Sequence, residues 1–140
     1  MSALLIANGR VVDPGRGLEG DLDVLLIEGR VSAVGPNLAE SGSFDLVIDA
    51  TGKIVVPGLI DMHVHLREPG READETIASG SAAAVRGGFA SVAVMPTTEP
   101  AVDSEAGAEF QVLQGKRAGK ARVFQIGAAT RGRAGQDLAE

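Results

Sequence analysis

The chain contains two histidines, His63 and His65, which lie two residues apart directly after a run of strand-forming residues. Because successive side chains of a β-strand alternate between its faces, both imidazoles are expected to point the same way. Imidazole is the commonest metal-ligating side chain, and two on one face can hold one divalent cation without distorting the backbone. The spacing therefore predicts a metal site. The alternative is a pair of strand histidines hydrogen-bonded in a polar interior.

Polar residues flank the histidine pair with the same alternation. Asp61 and Arg67 share the parity of the histidines if the strand continues through Arg67, and the opposite face is aliphatic, with Ile60, Met62, Val64 and Leu66. This division suits a barrel strand whose outer face packs against helices and whose inner face opens to a site at its C-terminal end. There the Arg67 guanidinium can bind a carboxylate through two parallel hydrogen bonds.

Composition restricts the classes of function. The chain has no cysteine, which excludes disulfides, thiolate metal ligands and a catalytic thiol. Its formal net charge of −6 argues against a nucleic-acid partner, whose phosphates require a basic surface. No stretch reaches the apolar length of a membrane span, and the N-terminus lacks the basic region of a signal peptide. We therefore expect a cytoplasmic protein without membrane contact, whose local arginines meet a small anionic substrate.

Residues 1–56 resemble a small β unit with three glycine-containing turns. In Asn8-Gly9-Arg10, Glu28-Gly29-Arg30 and Thr51-Gly52-Lys53 a glycine precedes a basic residue, and a β-branched residue follows. Glycine tolerates the positive φ of two-residue hairpin turns, so each is predicted to join antiparallel strands. The strands are expected at 22–27, 31–34 and 46–48.

After Pro57-Gly58 the pattern changes to alternating strands and helices. We predict a helix over 72–86 with acidic residues at its start, a strand over 89–95, a helix from the N-cap Ser104 to about 118, and a strand over 121–128. This order predicts parallel β/α units with right-handed crossovers. A complete eight-unit barrel needs about 250 residues, so the barrel is incomplete in this chain.

A family resemblance rests on Pro57–Gly70, read with Glu75–Gly80 and Gly87-Gly88-Phe89. These segments resemble the signature of dihydroorotases of the long bacterial type, within the amidohydrolase superfamily. Hydantoinases and allantoinases share the Pro-Gly-x-Ile-Asp-x-His-x-His core, whereas the Leu-Arg-Glu-Pro-Gly continuation favours dihydroorotase. The resemblance extends to Ile126–Gly132, although known members are much longer. It implies an α/β fold: the N-terminal part of a metal-dependent hydrolase (β/α)8 TIM barrel over 57–140, preceded by part of a β-sandwich lobe over 1–56.

The resemblance also implies a chemistry, the reversible cyclisation of N-carbamoyl-L-aspartate to L-dihydroorotate in pyrimidine biosynthesis. One or two zinc ions would be present, with His63 and His65 as ligands of the more buried ion and Asp61 in the second shell. Arg67, His65 and Thr97 would bind the substrate. The general acid/base and the other ligands are expected beyond Glu140, so the chain would contain no catalytic residue and would be inactive alone, as the N-terminal fragment of an enzyme.

One position departs from the family pattern. Dihydroorotases usually have Met-Pro-Asn-Thr-x-Pro where this chain has Met95–Pro100, so Thr97 replaces an asparagine that helps to bind the substrate carboxylate. Two alternatives stay open: another cyclic amidase, such as a hydantoinase or allantoinase, and a noncatalytic dihydroorotase-like scaffold for aspartate transcarbamoylase. The expected partners of the full-length protein are further copies of itself and, in the scaffold alternative, aspartate transcarbamoylase.

Overall fold

The computed structural model describes residues 2–140, which form two compact units divided between Pro57 and Gly58. Each unit is built around one sheet. Within the described range, neither α-helix combines the length and the hydropathy that a membrane crossing requires.

The first unit is a five-stranded mixed sheet. Its strands are β1 (Ala3–Asp13), β2 (Leu18–Ile27), β3 (Arg30–Gly35), β4 (Leu46–Asp49) and β5 (Ile54–Val55). The order is β3-β2-β1-β4, and β5 also pairs with β1. The pairs β1–β2 and β2–β3 are antiparallel, whereas β4 and β5 run parallel to β1. The described residues of this unit contain a single sheet. The second sheet that a β-sandwich lobe requires therefore stays a prediction.

Of the three predicted hairpin turns, one is confirmed. Glu28 and Gly29 adopt φ values of 51° and 73°, and Ile27 pairs with Arg30 across the turn. The turn predicted at Asn8-Gly9 is wrong, because β1 continues through it with a bulge. Asn8 takes φ 61° there, and a Cβ on Gly9 would lie 2.5 Å from Val55 Cγ2. Gly9 is therefore required by close packing rather than by a reversal of the chain.

The third turn is present, but it does not form a hairpin. Gly52 has φ 72°, and the Lys53 amide donates to the Ala50 carbonyl at 2.9 Å. The two strands that this turn joins both pair with β1, in parallel, so the predicted antiparallel pairing is wrong. The 11-residue β1 is long enough to pair with β4 before its bulge and with β5 after it.

The second unit alternates strands and helices, as predicted. It consists of β6 (Leu59–Val64), α1 (Ile77–Arg86), β7 (Phe89–Val94), α2 (Glu105–Ala118) and β8 (Arg122–Gln125). The sheet order is β6-β7-β8, and both pairs are parallel. The Ser104 hydroxyl caps α2 by accepting from the Gly107 amide at 3.3 Å, which confirms the predicted start of this helix. β8 is shorter than the predicted strand over 121–128.

Helix α1 begins at Ile77, five residues after the predicted start at Glu72. Thr76 and Ser79 form a capping box, in which each hydroxyl accepts from the other residue's amide, at 3.0 and 3.1 Å. This reciprocal pair satisfies two of the amides that a helix start leaves free. The acidic residues therefore lie before α1 and not in its first turn.

The core of the second unit lies between its sheet and its helices. Its buried residues are Leu66, Ile77, Val92, Val94 and Val123. Ile60 and Met62 are 66% and 75% exposed among the described residues, so no helix of residues 2–140 covers them and their predicted packing against helices stays a prediction. The reason is that α1 packs on β7 and α2 on β8, which leaves the edge strand β6 uncovered at these two residues.

Candidate metal centre

The two histidines lie side by side at the C-terminal end of β6. His63 is within the strand and His65 is one residue past its end. Their ring centroids are 5.3 Å apart, with an interplanar angle of 62°. The two rings are therefore neighbours, as expected of side chains on one side of the strand, and their role as metal ligands stays a prediction.

The polar column predicted to run from Asp61 to Arg67 is wrong, because β6 ends at Val64 and contains a bulge. Asp61 pairs with Val92, and Val64 pairs with Val94. Between these two pairs β6 is therefore one residue longer than β7. An inserted residue of this kind resets the alternation of faces. Asp61 Oδ1 instead accepts from the His63 amide at 3.0 Å, which holds the backbone of a predicted ligand.

Thr97 contacts one of the two imidazoles directly. Its Oγ1 lies 2.6 Å from His65 Nδ1. The contact arises because β6 and β7 are parallel, so their C-terminal ends adjoin, and the Met95 amide donates to the Val64 carbonyl at 2.9 Å. With Nδ1 engaged, the second ring nitrogen of His65, Nε2, is the one left for a metal ion.

The electrostatics around His65 favour its neutral form. Slight desolvation of the ring lowers the pKa of His65, and electrostatic repulsion from the side chains of Arg67, His63 and Arg133 lowers it further. A neutral imidazole keeps the lone pair that a metal ion requires. Arg133, in a short 3₁₀ turn over Arg131–Arg133, was not singled out in the sequence, since nothing in its local pattern distinguishes it from a solvent-exposed arginine.

Arg67 lies in a tight turn beyond the strand. Its φ is 60°, and the Glu68 amide donates to the Leu66 carbonyl at 2.7 Å, so the chain reverses around Arg67 in a γ-turn. A non-glycine residue in this region of backbone space costs about 1–3 kcal/mol and persists only where its surroundings impose it. Such strain concentrates at functional sites.

The residues after Arg67 anchor this turn to the rest of the unit. The Glu68 carboxylate accepts from the Ile77 amide at 2.8 Å, and the Glu68 carbonyl accepts from Gln111 Nε2 at 2.5 Å. The Glu99 amide donates to the Pro69 carbonyl at 3.1 Å. The Glu-Pro part of the motif therefore connects α1, α2 and the loop after β7.

Gly70 allows that loop to pack closely. Its φ is 103°, and a Cβ on it would overlap the Glu99 carbonyl oxygen. No other residue type fits this position without displacing the loop that also carries Thr97. In the sequence Gly70 is only part of a signature, and its packing role is visible in the structure alone.

The donor set of this chain fits part of a metal site. Two adjacent imidazoles suit a borderline ion such as zinc. Within residues 2–140, no group of three or more His, Cys, Asp or Glu side chains is placed to hold a metal ion. A catalytic zinc usually takes three protein ligands, so a site built on His63 and His65 would need a further ligand from elsewhere.

Comparison with protein families gives one match, to a family model described as Dihydro-orotase-like, over residues 52–140. The dihydroorotase of Pelobacter propionicus is 51% identical over 137 residues, which are 98% of this chain and 32% of that protein. The dihydroorotase of Geobacter sulfurreducens is 47% identical over the same shares of both chains. The chain therefore spans about a third of the length of the curated relatives it matches.

Several solved structures have a similar fold. An L-hydantoinase (dihydropyrimidinase) from Arthrobacter aurescens superposes with a TM-score of 0.74 at 24% identity, over 93% of this chain and 28% of that chain. A D-hydantoinase (dihydropyrimidinase) from Thermus sp. gives 0.62 at 32% identity, over 80% of this chain and 24% of that chain. A triazine hydrolase gives 0.68 at 23% identity, over 96% and 37%. The predicted α/β fold class is confirmed.

Proposed function

This chain belongs to the dihydro-orotase-like family, and on that basis we propose that it supplies metal-binding and substrate-binding residues of a dihydroorotase. The reaction is the reversible cyclisation of N-carbamoyl-L-aspartate to L-dihydroorotate, a step of pyrimidine biosynthesis. The observation that carries the proposal is local. His63, His65 and Thr97 meet at the C-terminal ends of two parallel strands, and the charge of Arg67 acts on His65.

His63 and His65 would hold zinc in this proposal, together with ligands from outside residues 2–140. When bound, zinc supplies Lewis acidity toward the ring amide and lowers the pKa of water to near neutrality. The Asp61 carboxylate fixes the backbone of His63, and the Thr97 hydroxyl fixes the ring of His65. Both contacts act on a ligand and not on the ion, as outer partners of metal sites do.

Arg67 would bind the carboxylate that distinguishes dihydroorotate from a simple cyclic amide. A guanidinium is always charged and presents paired donors that match a carboxylate. Thr97 contributes one hydroxyl, whose oxygen can accept from His65 while its hydrogen is donated to the substrate. Because an asparagine in its place would offer a longer carboxamide, binding of the carboxylate depends mainly on Arg67.

The remaining parts of the proposal concern the whole protein, that is, this chain together with the rest of the length of its relatives. The general acid/base and the other zinc ligands would come from that remainder, so the 140-residue chain would be inactive alone. A cytoplasmic location, self-association of the whole protein and a complex with aspartate transcarbamoylase stay predictions.

Sequence identity supports a dihydroorotase over a hydantoinase. The curated dihydroorotases reach 51% identity over 98% of this chain, whereas the hydantoinase structures named above reach 24% and 32%. The folds do not separate the two activities, since hydantoinases superpose well. A substrate test on the whole protein is therefore required.

The test compares steady-state kinetics on L-dihydroorotate and on hydantoin, which has no carboxylate. We expect dihydroorotate to be the better substrate. Arg67→Met should raise its KM by about 10- to 100-fold, since a hydrogen bond to a charged group contributes roughly 1.5–3 kcal/mol.

Arg71→Met is the matched control. The Arg71 guanidinium pairs with Asp74 in the same segment and does not belong to the proposed site. This variant should have the wild-type KM and kcat for both substrates. Preferred turnover of hydantoin, together with no effect of Arg67→Met on either substrate, would replace the proposal with the cyclic amidase alternative.

A further inference from the structure

We infer that Gln111, in α2, is a positioning residue for the substrate carboxylate: it holds the strained turn that presents Arg67. The inference rests on the proposed function, because it takes Arg67 to be the group that binds the carboxylate. It concerns a residue outside the predicted site, on a helix that contributes no ligand.

Gln111 occupies a core position with a side chain that is not apolar. It is 0% exposed, one of the three polar or charged residues that are buried within residues 2–140. A buried polar group is costly unless it is hydrogen-bonded, so its retention at such a position needs an explanation. A leucine or methionine of similar size would pack there without that cost.

The contacts of Gln111 supply the explanation. Nε2 donates to the Glu68 carbonyl at 2.5 Å, and Oε1 has no hydrogen-bond partner within the described part of the chain. The single hydrogen bond that this buried carboxamide makes is therefore to the residue directly after Arg67. Its geometry identifies the Glu68–Pro69 peptide, directly after the turn at Arg67, as the group that it holds.

The turn that precedes this peptide needs an external anchor. Arg67 has φ 60°, and the 2.7 Å hydrogen bond from the Glu68 amide to the Leu66 carbonyl closes a γ-turn. An unsupported chain would relax toward negative φ and carry the guanidinium away with it. Gln111 holds the carbonyl of Glu68 while Ile77 holds its carboxylate, so the turn is fixed from two helices.

The prediction is a loss that is specific to the carboxylate. In the whole protein, Gln111→Met removes the donor and keeps the length of the side chain. We expect the KM for dihydroorotate to rise about tenfold, with kcat changed less than twofold and the zinc content unchanged. Kinetics on hydantoin should not change, because hydantoin has no group for Arg67 to bind.

A double-mutant cycle separates positioning from a general loss of structure. In an Arg67→Met background there is no guanidinium to place, so Gln111→Met should have less than a twofold effect on kcat/KM for dihydroorotate. Gln114→Met is the matched control, since Gln114 lies one turn further along α2 and contacts Arg117 rather than Glu68. It should behave as wild type.

The possible outcomes are distinguishable. Failure of the wild-type protein to hydrolyse dihydroorotate would remove the proposed function itself. Wild-type activity with a normal Arg67 dependence, but with no KM effect of Gln111→Met or an equal effect in the Arg67→Met background, would overturn the inference alone. If Gln111→Met does not fold, Glu68→Ala removes the other anchor of the turn, and the same carboxylate-specific rise in KM is expected.

Discussion

The hydroxyl of Thr97 should affect metal affinity as well as substrate binding. Thr97→Val keeps the shape of the side chain and removes the group that lies 2.6 Å from His65 Nδ1. An outer partner of this kind sets the orientation and tautomer of a ligating imidazole, and its loss typically lowers metal affinity 10- to 100-fold. A single neutral hydrogen bond contributes about 1 kcal/mol, so we expect a loss at or just below the lower limit of that range, roughly 5- to 10-fold.

The assay is zinc competition against a chromophoric chelator, using the whole protein and its variants. Thr97→Ser, which retains a hydroxyl, should restore most of the affinity. Thr98→Val is the matched control, because the Thr98 hydroxyl donates to the Pro100 carbonyl at 2.8 Å in the same loop and does not contact His65. The reasoning fails if Thr97→Val binds zinc within twofold of wild type, or if Thr98→Val loses as much affinity.

Three further predictions concern stability and association. Gly70→Ala should lower the free energy of unfolding, measured by denaturant titration, by about 1–3 kcal/mol. Gly127→Ala should be neutral, because a Cβ at Gly127 would meet no atom within 4 Å. Equal denaturation midpoints for the two variants would contradict the packing role of Gly70. The Thr51 hydroxyl is the largest cause that lowers the pKa of Asp49 below its ordinary 3.8. The wild type should therefore have a higher free energy of unfolding than Asp49→Asn at pH 6, and this difference should disappear as the pH falls through the lowered pKa. A difference that does not depend on pH would refute this prediction. The 140-residue chain alone should self-associate, because both outer strands of its parallel sheet have unpaired edges among the described residues, and a monodisperse monomer in analytical ultracentrifugation would contradict this.

Periodicity predicted the second unit well because each element has a local signal. The strand after Gly87-Gly88 is a short apolar run, and Ser104 directly precedes a helical segment that ends at a glycine. The start of α1 was missed because both Thr76 and the acidic residues before it can begin a helix. In the structure the reciprocal hydrogen bonds of Thr76 and Ser79 place the start of the helix at Ile77.

Non-local packing accounts for the errors in the first unit and in the site. Asn8-Gly9 has the composition of a hairpin turn, yet the approach of Val55, far along the chain, makes it a bulge. The bulge in β6 depends likewise on its register with β7. Gln111 carries no sequence signal, because a glutamine in a helix is ordinarily exposed, and only its contact with Glu68 reveals what it does.

The measurement that most directly tests the account is the rate of L-dihydroorotate hydrolysis by the whole protein in three states: as isolated, stripped of metal, and reloaded with zinc. The account predicts that stripping abolishes the activity, that one or two zinc ions per chain restore it, and that a His63→Ala/His65→Ala double variant neither binds stoichiometric zinc nor regains activity. Full activity in the stripped protein, or unchanged zinc content in the double variant, would contradict the central claim that these two histidines bind the catalytic metal.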